Sequence, residues 1–166
     1  MTDLIWEELS AGFPDTRQFV DTTIRLVAAV ILGGIVGWER ERMGKAAGLR
    51  THMLVSLGTA LFVVACANSG MSSDGLSRVI QGLTTGIGFI GGGAILKLAN
   101  EREIHGLTTA AGIWMTAAIG VAVGLGALGL ALLATLITTA TLGAIRLSTP
   151  RDERDSGKTN GNGNDA

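Results

Sequence analysis

Apolar residues occur along this chain in five long runs that are separated by short polar segments. The runs cover approximately residues 19–38, 51–68, 79–99, 107–124 and 127–147. Runs of about 20 apolar residues are long enough to cross the hydrocarbon core of a bilayer as α-helices. The pattern therefore predicts an all-α, polytopic membrane protein with about five transmembrane helices.

The two ends of the chain differ from this apolar region. The segment 1–18 lacks the basic start and cleavage site of a signal peptide, so we expect it to be retained outside the cytoplasm. Its mixed apolar and acidic residues fit a short interfacial helix, with a frayed terminus as the alternative. The segment 148–166 is charged and then rich in Gly and Asn, which predicts a disordered cytoplasmic tail. Residues 19–147 form the predicted transmembrane domain.

The overall composition agrees with a membrane protein and excludes some partners. Hydrophobic residues make up 47% of the chain and charged residues 16%, which is too apolar for an ordinary soluble domain. The lipid bilayer is therefore the expected surrounding. A formal net charge of -1, without basic clusters interleaved with aromatic residues, gives no reason to expect nucleic acid as a partner.

The distribution of Lys and Arg predicts an orientation. Five spans place the two termini on opposite sides of the membrane, and cytoplasmic segments are normally richer in positive charge. With the N-terminus outside, the cytoplasmic segments hold ten of the thirteen basic residues: Arg40, Arg42, Lys45, Arg50, Lys97, Arg102, Arg146, Arg151, Arg154 and Lys158. The C-terminus is therefore expected in the cytoplasm.

A short internal similarity links the first two runs to the third and fourth. The sequence LGGIVG is followed by a polar loop and GLRT at 48–51, and GIGFIGGG is followed by a polar loop and GLTT at 106–109. We interpret this as a parallel repeat of two helical hairpins, with the fifth helix as an addition. Chance similarity between glycine-rich helices is the alternative.

The stretch GIGFIGGG, residues 86–93, matches the dinucleotide pattern G-x-G-x-x-G. That pattern binds a pyrophosphate only between a strand and a helix, whereas this stretch lies inside an apolar run, so no cofactor is predicted. Glycines at helical spacing allow two helices to pack closely in lipid. A broken helix lining an ion cavity is the alternative. The glycines predicted to pack helices are Gly33, Gly37, Gly82, Gly86, Gly88, Gly91, Gly92 and Gly93.

The loop WERERMGKAAGLRTH is the most polar part of the membrane region. A solvated turn explains its basic residues but not its carboxylates. Our first interpretation is an ion pair between Glu39 and Arg50 that joins the first two helices. The alternative is that Glu39 and Glu41 bind a cation.

Further polar residues follow at the start of the third run and at the fourth. Arg78 and Gln81 are candidate functional residues because unpaired polar groups are costly in lipid, and Asp74 is a candidate partner of Arg78. An interfacial arginine that reaches outward is the alternative for Arg78. His52 and His105 are too few ligands for a zinc site, and no metal site is predicted. No nucleophile and base pattern is recognisable, so we expect no enzymatic activity.

Three motifs in order resemble the membrane domain of the MgtC/SapB family. They are LGGIVGWERERMGKAAGLRTHMLVSLGTALF, RVIQGLTTGIGFIGGGAIL and HGLTTAAGIWMTAAIGVAVGLG, which lie within residues 24–147. The resemblance implies a multi-pass protein of the bacterial inner membrane that is associated with growth at low magnesium. It also implies ATP synthase or a magnesium transporter as partners. The glycine-rich helix faces favour a second copy of the chain or another membrane protein as the partner. The longer members carry a soluble C-terminal domain, whereas here we expect only a short tail from residue 148, so we expect no role that depends on that domain.

The polar pattern and the resemblance together give the candidate functional residues. These are Glu39, Arg40, Glu41, Arg50, Thr51, His52, Arg78, Gln81, Thr108 and Thr109. The expected function is that of an accessory or regulatory membrane protein in magnesium homeostasis, which acts through helix contacts. A small cation transporter or channel that works as a homo-oligomer is the alternative.

Overall fold

The structure, a computed structural model, describes residues 15–97 and 104–144, together with Met1 and Leu4. Most of the predicted N-terminal segment and the whole predicted tail at 148–166 lie outside the described residues. The described part contains five helices, which confirms the predicted all-α fold. They are α1 (Thr16–Arg42), α2 (Leu49–Asn68), α3 (Ser73–Gly93), α4 (Leu107–Gly124) and α5 (Leu128–Ala144).

The helix ends are set by local capping. Asp15 precedes α1, and its side chain accepts a hydrogen bond from the Arg17 backbone N–H at 3.3 Å. The helix then continues through its polar end to Arg42, because Glu and Arg are good helix formers. It ends before Gly44, whose positive φ of 64° starts the turn to α2.

The predicted boundaries of the third run, 79–99, are wrong at both ends. The helix α3 begins at Ser73, because the Ser72 hydroxyl caps the Gly75 N–H at 3.3 Å. It ends at Gly93, after three consecutive glycines that weaken a helix. The chain then forms two short antiparallel strands, β1 (Leu96–Lys97) and β2 (Ile104–His105), which the sequence did not predict.

Gly106, directly before α4, is required by the turn that follows this strand pair. It has a φ of 96°, and a Cβ atom there would overlap the Ala94 carbonyl oxygen. The start of α4 is therefore held close to the end of α3.

Four helices build most of the core. One apolar cluster joins α1, α2, α4 and α5 through Ala29, Leu32, Val36, Ala60, Ile119, Val123, Ala131 and Leu142. A second, smaller cluster lies near the α1–α2 turn and comprises Ala47, Ile87, Ile113 and Ala117. The helix α3 contributes only Ile87 to these clusters, so it lies at the edge of the bundle.

The outer surface of the bundle is apolar over long distances. On α1, large side chains repeat at helical spacing along one exposed face: Val20, Ile24, Val27, Ile31, Ile35 and Trp38. Three helices, α1, α2 and α4, are long and apolar enough to cross a membrane, and α5 is an apolar helix of 17 residues. Apolar side chains outside and polar ones inside are the arrangement expected in lipid.

The two hairpins, α1–α2 and α3–α4, turn at the same end of the bundle. Residues of the first turn, such as Lys45 and Ala46, line one pocket together with Ala94 and with Thr108 of α4. At the opposite end, Arg25 of α1 reaches the last residues of α4. This arrangement fits the predicted parallel repeat, while the superposition of the two hairpins stays a prediction.

Candidate functional site

A row of buried polar side chains lies between α1, α2 and α4. It consists of Arg40, His52, Ser56 and Thr116, each 1% exposed or less. We call this set the buried polar row. Burying a polar group inside a membrane protein costs free energy unless the group has a hydrogen-bond or ion-pair partner. The partners of these four side chains therefore define the chemistry of the site.

The charge in this row belongs to Arg40. Its Nε donates to Glu39 Oε2 at 2.7 Å and its Nη2 donates to Glu39 Oε1 at 3.2 Å. The Arg40 side chain is 2% exposed and that of Glu39 is 21% exposed, so the pair reaches the surface only through the carboxylate. The Nη1 group is buried and has no hydrogen-bond partner among the described residues.

His52 connects α2 to α4. Its Nδ1 lies 2.7 Å from the Thr116 hydroxyl oxygen, and that hydroxyl donates to the Gly112 carbonyl at 2.9 Å. His52 and Thr116 thus share one hydrogen bond that joins α2 to α4, and its direction follows the imidazole tautomer. Both side chains lie beside Gly112, since a Cβ atom there would make ordinary van der Waals contact with His52 Cε1 at 3.6 Å and Arg40 Cδ at 4.0 Å.

Glycines bring the backbones of these helices together. A Cβ atom at Gly33 would lie 2.6 Å from the His52 carbonyl oxygen, and one at Gly37 would lie 2.8 Å from Leu49 Cα. On α4, a Cβ atom at Gly120 would overlap the Thr59 hydroxyl and the Ser56 carbonyl oxygen. The structure therefore places Gly33 and Gly37 in close helix contacts, as the spacing predicts.

The carboxylates of the first turn have partners different from those predicted. Glu39 binds its neighbour Arg40, whereas Arg50 is exposed, so the predicted pair of Glu39 with Arg50 is wrong. Glu41 joins the two helices instead, because its Oε2 accepts from the Leu49 N–H at 2.8 Å. Both carboxylates are used by protein donors, which argues against the cation site considered for them. Thr51, beside these residues, is half-buried.

Arg78 and Gln81 lie apart from the buried polar row, on the exposed face of α3. Within the described part of the chain neither Asp74 nor Arg78 has an ion-pair partner, so the predicted local pair is not formed. Gln81 lines a groove on the outside of α3, together with Ser77 and Thr84. The sequence-predicted polar sites are thus divided between two separate places.

Most glycines of α3 face away from the rest of the chain. Gly91 is buried and has Ala110 Cβ at 3.6 Å from its Cβ position. Five others have no atom within 4 Å of the position where a Cβ would stand: Gly82, Gly86, Gly88, Gly92 and Gly93. Within the described residues these glycines contact no other helix, so their role in helix packing stays a prediction.

Thr108 and Thr109 open a third place, a pocket of about 210 Å³ where the two hairpin turns meet. We call it the turn pocket. Thr108 is exposed, whereas Thr109 is 4% exposed. In the described ranges no three or more His, Cys, Asp or Glu side chains come close enough to hold a metal ion.

Sequence reasoning missed Ser56 and Thr116 of the buried polar row, and it missed the α4 glycines that lie beside that row. The signal was present, because Gly112, Thr116, Gly120 and Gly124 recur every four residues on one face of α4. At the other end of α4, Arg25 of α1 donates to the Gly124 carbonyl at 3.0 Å. The arginine thus caps the end of α4, where a positive charge complements the helix dipole.

Apolar helices outside and a polar row inside define a multi-pass helical membrane protein. The chain belongs to the MgtC family, whose model matches residues 26–149. This confirms the family resemblance of its three motifs.

The chain is similar to several proteins of known name. It is 42% identical to Protein SrpB of Synechococcus elongatus over 140 residues, which is 78% of this chain and 77% of that protein. It is 42% identical to the putative magnesium transporter YhiD of Escherichia coli strain K12, over 74% of this chain and 58% of YhiD. It is 40% identical to Protein MgtC of Salmonella typhimurium strain 14028s, over 69% of this chain and 48% of MgtC.

The chain therefore spans a little over half of YhiD and about half of MgtC. No solved structure matches it significantly.

Proposed function

We propose that this protein is a non-enzymatic accessory or regulatory protein of the bacterial inner membrane that serves adaptation to low magnesium. It acts through helix contacts made by the outer face of α3. The family membership and the name of YhiD support the link to magnesium. The observation that carries the mode of action is the exposure of α3.

The outer face of α3 is poorly suited to lipid. Of its 21 residues only Ile87 and Gly91 are buried. The exposed side includes polar groups, among them Ser77 and Gln81, and the glycines that have no described atom of another helix near their Cβ positions. An unpaired amide in hydrocarbon is costly, and small residues permit close approach of another helix. A partner helix on this face would relieve the cost.

The partner we propose is a second copy of the chain. Two copies in one membrane share their orientation. A two-fold axis along the membrane normal therefore places the outer face of α3 in one copy against the same face in the other copy. The Gln81 amide carries both a donor and an acceptor, so two such groups can pair with each other. Glycines on both helices allow the backbones to come close enough for that pairing.

Cysteine cross-linking in native membranes tests this contact. With Cys66→Ser as the background, Thr85→Cys on the exposed face of α3 is expected to form disulfide-linked dimers on mild oxidation. Ile31→Cys, on the exposed apolar face of α1, is the matched control and is expected to remain monomeric. Adding Gly86→Leu is expected to reduce the Thr85→Cys dimer severalfold, because a leucine at the contact separates the helices.

Gly129→Leu provides the second control. Gly129 is exposed on α5 and, like Gly86, has no atom within 4 Å of its Cβ position. The same substitution there is expected to leave the Thr85→Cys dimer unchanged. Equal cross-linking of Thr85→Cys and Ile31→Cys, or none at either position, would refute a dimer through α3.

Growth of a deletion strain across a magnesium series tests the physiological part. The wild-type gene and Gly129→Leu should restore growth at limiting magnesium, and Gly86→Leu should fail to do so at equal membrane abundance. Normal growth of the deletion strain at low magnesium would remove the link to magnesium.

In this proposal the N-terminus lies outside and the C-terminus lies in the cytoplasm. The partition of Lys and Arg supports this orientation. A reporter that is active only in the cytoplasm should be active when fused after the chain's last helix. Activity of a periplasmic reporter at that position would reverse the orientation.

The printed name of YhiD also favours a second candidate, a cation transporter. Flux of magnesium through liposomes that contain only the purified protein would support this candidate. The accessory role predicts no flux under that condition, so the two functions are separable by one assay.

A further inference from the structure

The turn pocket has the size and the position of a site for one small group. It encloses about 210 Å³, which is below the range of about 300–1,000 Å³ that is usual for drug-sized ligands. The turn after α1 forms one wall, and the residues around Gly106 with the first turn of α4 form the other. It lies at the end of the bundle where both hairpins turn.

The first turn of α4 supplies unpaired backbone donors to this pocket. Ala110 is the first residue of α4 whose N–H bonds back, to the Gly106 carbonyl at 2.8 Å. The N–H groups of Leu107, Thr108 and Thr109 therefore have no acceptor within the helix. Gly106 offers no side chain to cap them. The start of an 18-residue helix thus presents partial positive charge to the pocket.

The Thr109 hydroxyl is a further donor at the same place. Thr109 lines the pocket and is 4% exposed, and its hydroxyl makes no hydrogen bond to any described residue. The hydroxyl oxygen itself is not fully buried, so it is open to a group bound in the pocket.

The electrostatics of the pocket favour an anion. Lys45 lines it and has no ion-pair partner in the described ranges, and the imidazole of His105 lines it as well. Within the same ranges no Asp or Glu side chain lines the pocket. An ammonium group, hydroxyls and backbone N–H groups are donors typical of phosphate sites.

The start of α2 shows what such a helix end binds in this protein. Its sequence GLRT parallels the GLTT of α4, and Gly48 likewise provides no side-chain cap. There the carboxylate of Glu41 takes the anion position, with its Oε2 2.8 Å from the Leu49 N–H. At α4 no described side chain takes that position.

We propose that the turn pocket binds a phosphate group through Lys45, the Thr109 hydroxyl and the first-turn N–H groups of α4. This site goes beyond the proposed contact through α3 and does not depend on it. The phosphate comes either from free inorganic phosphate or from the headgroup of an anionic lipid, since both carry the same oxyanion.

Two measurements on the full-length protein in a phosphate-free maltoside detergent separate these sources. Calorimetric titration with inorganic phosphate reports free phosphate, and native mass spectrometry after addition of phosphatidylglycerol reports bound lipid. In whichever arm binds, Lys45→Met and Thr109→Val should each weaken binding at least about tenfold, because each removes a donor to a charged group.

Matched variants distinguish the site from general effects. Thr109→Ser keeps the hydroxyl and should bind as the wild type does. Arg17→Met removes one exposed positive charge near the opposite end of α1, and Thr23→Val removes an exposed hydroxyl on the same helix. Both should bind normally.

The outcomes decide the proposal and its ligand. Binding of inorganic phosphate that is lost with Lys45→Met and Thr109→Val supports a soluble ligand. The same dependence seen only for phosphatidylglycerol supports a headgroup. No binding in either arm, or binding that these two variants leave unchanged, overturns the proposal, whatever the outcome of the α3 cross-linking.

Discussion

Gly120→Ala is expected to destabilise the protein by about 3 kcal/mol, the upper part of the range for overpacked cores. The added Cβ would overlap the Thr59 hydroxyl and the Ser56 carbonyl oxygen, and it would lie 3.0 Å from Ser56 Cα. A hydroxyl can rotate away, but the backbone of α2 cannot move without breaking the packing against α1. The measurement is the thermal unfolding midpoint of the purified protein in a mild detergent.

Gly129→Ala is the matched control for this substitution. Gly129 lies on a helix of similar length, is exposed, and has no atom within 4 Å of its Cβ position. Alanine restricts the unfolded chain more than glycine and adds no clash there, so the midpoint should stay the same or rise. A Gly120→Ala variant as stable as Gly129→Ala would contradict the close contact between α2 and α4.

Glu39→Gln is expected to cost about 3 kcal/mol of stability, because it leaves the charge of Arg40 buried without a counter-charge. The value is taken from the low end of the usual range, since the Glu39 side chain is 21% exposed and water screens part of its interaction. The comparison is Glu41→Gln, an exposed carboxylate two residues later that accepts from the Leu49 N–H. That variant should lose about 1 kcal/mol or less.

A double variant shows that charge burial causes the loss. Glu39→Gln with Arg40→Leu removes both members of the pair and should recover most of the stability lost in Glu39→Gln, since apolar replacements of buried ion pairs are often neutral. The midpoints of all four proteins, wild type included, give the test. If Glu39→Gln and the double variant lose the same stability, the pair stabilises the protein through side-chain packing and not through charge compensation.

The fold was largely predictable because lipid imposes a simple rule on sequence. Long apolar runs must be helices, so α4 was predicted with its observed ends, Leu107 and Gly124. The ends of α3 were not predictable from hydropathy. Its polar first turns depend on a serine cap, and its early end depends on a strand pair that forms only when Gly106 meets Ala94.

Only two of the four residues of the buried polar row were predicted from the sequence, and the reason is physical. Arg40 and His52 were among the predicted functional residues. The side chains that each of them contacts depend on the register between the helices. Glu39 forms its ion pair with Arg40, its neighbour in sequence, and not with Arg50. His52 shares a hydrogen bond with Thr116, which lies 64 positions later in the sequence. The spacing of residues along one helix shows which of them share a face. It does not show which side chains of the neighbouring helix lie against that face.

The polar exterior of α3 has a consequence for how the chain enters the membrane during synthesis. Each Asp or Arg costs about 2.5–3.5 kcal/mol at the centre of an inserting helix, and less near its ends. Asp74 and Arg78 both lie in the first two turns of α3, whereas α4 is free of charged residues. We therefore expect α3 to be retained in lipid only together with α4, as one inserting hairpin. The ribosome must then have extended the chain past Gly124 before the third helix is committed to the bilayer.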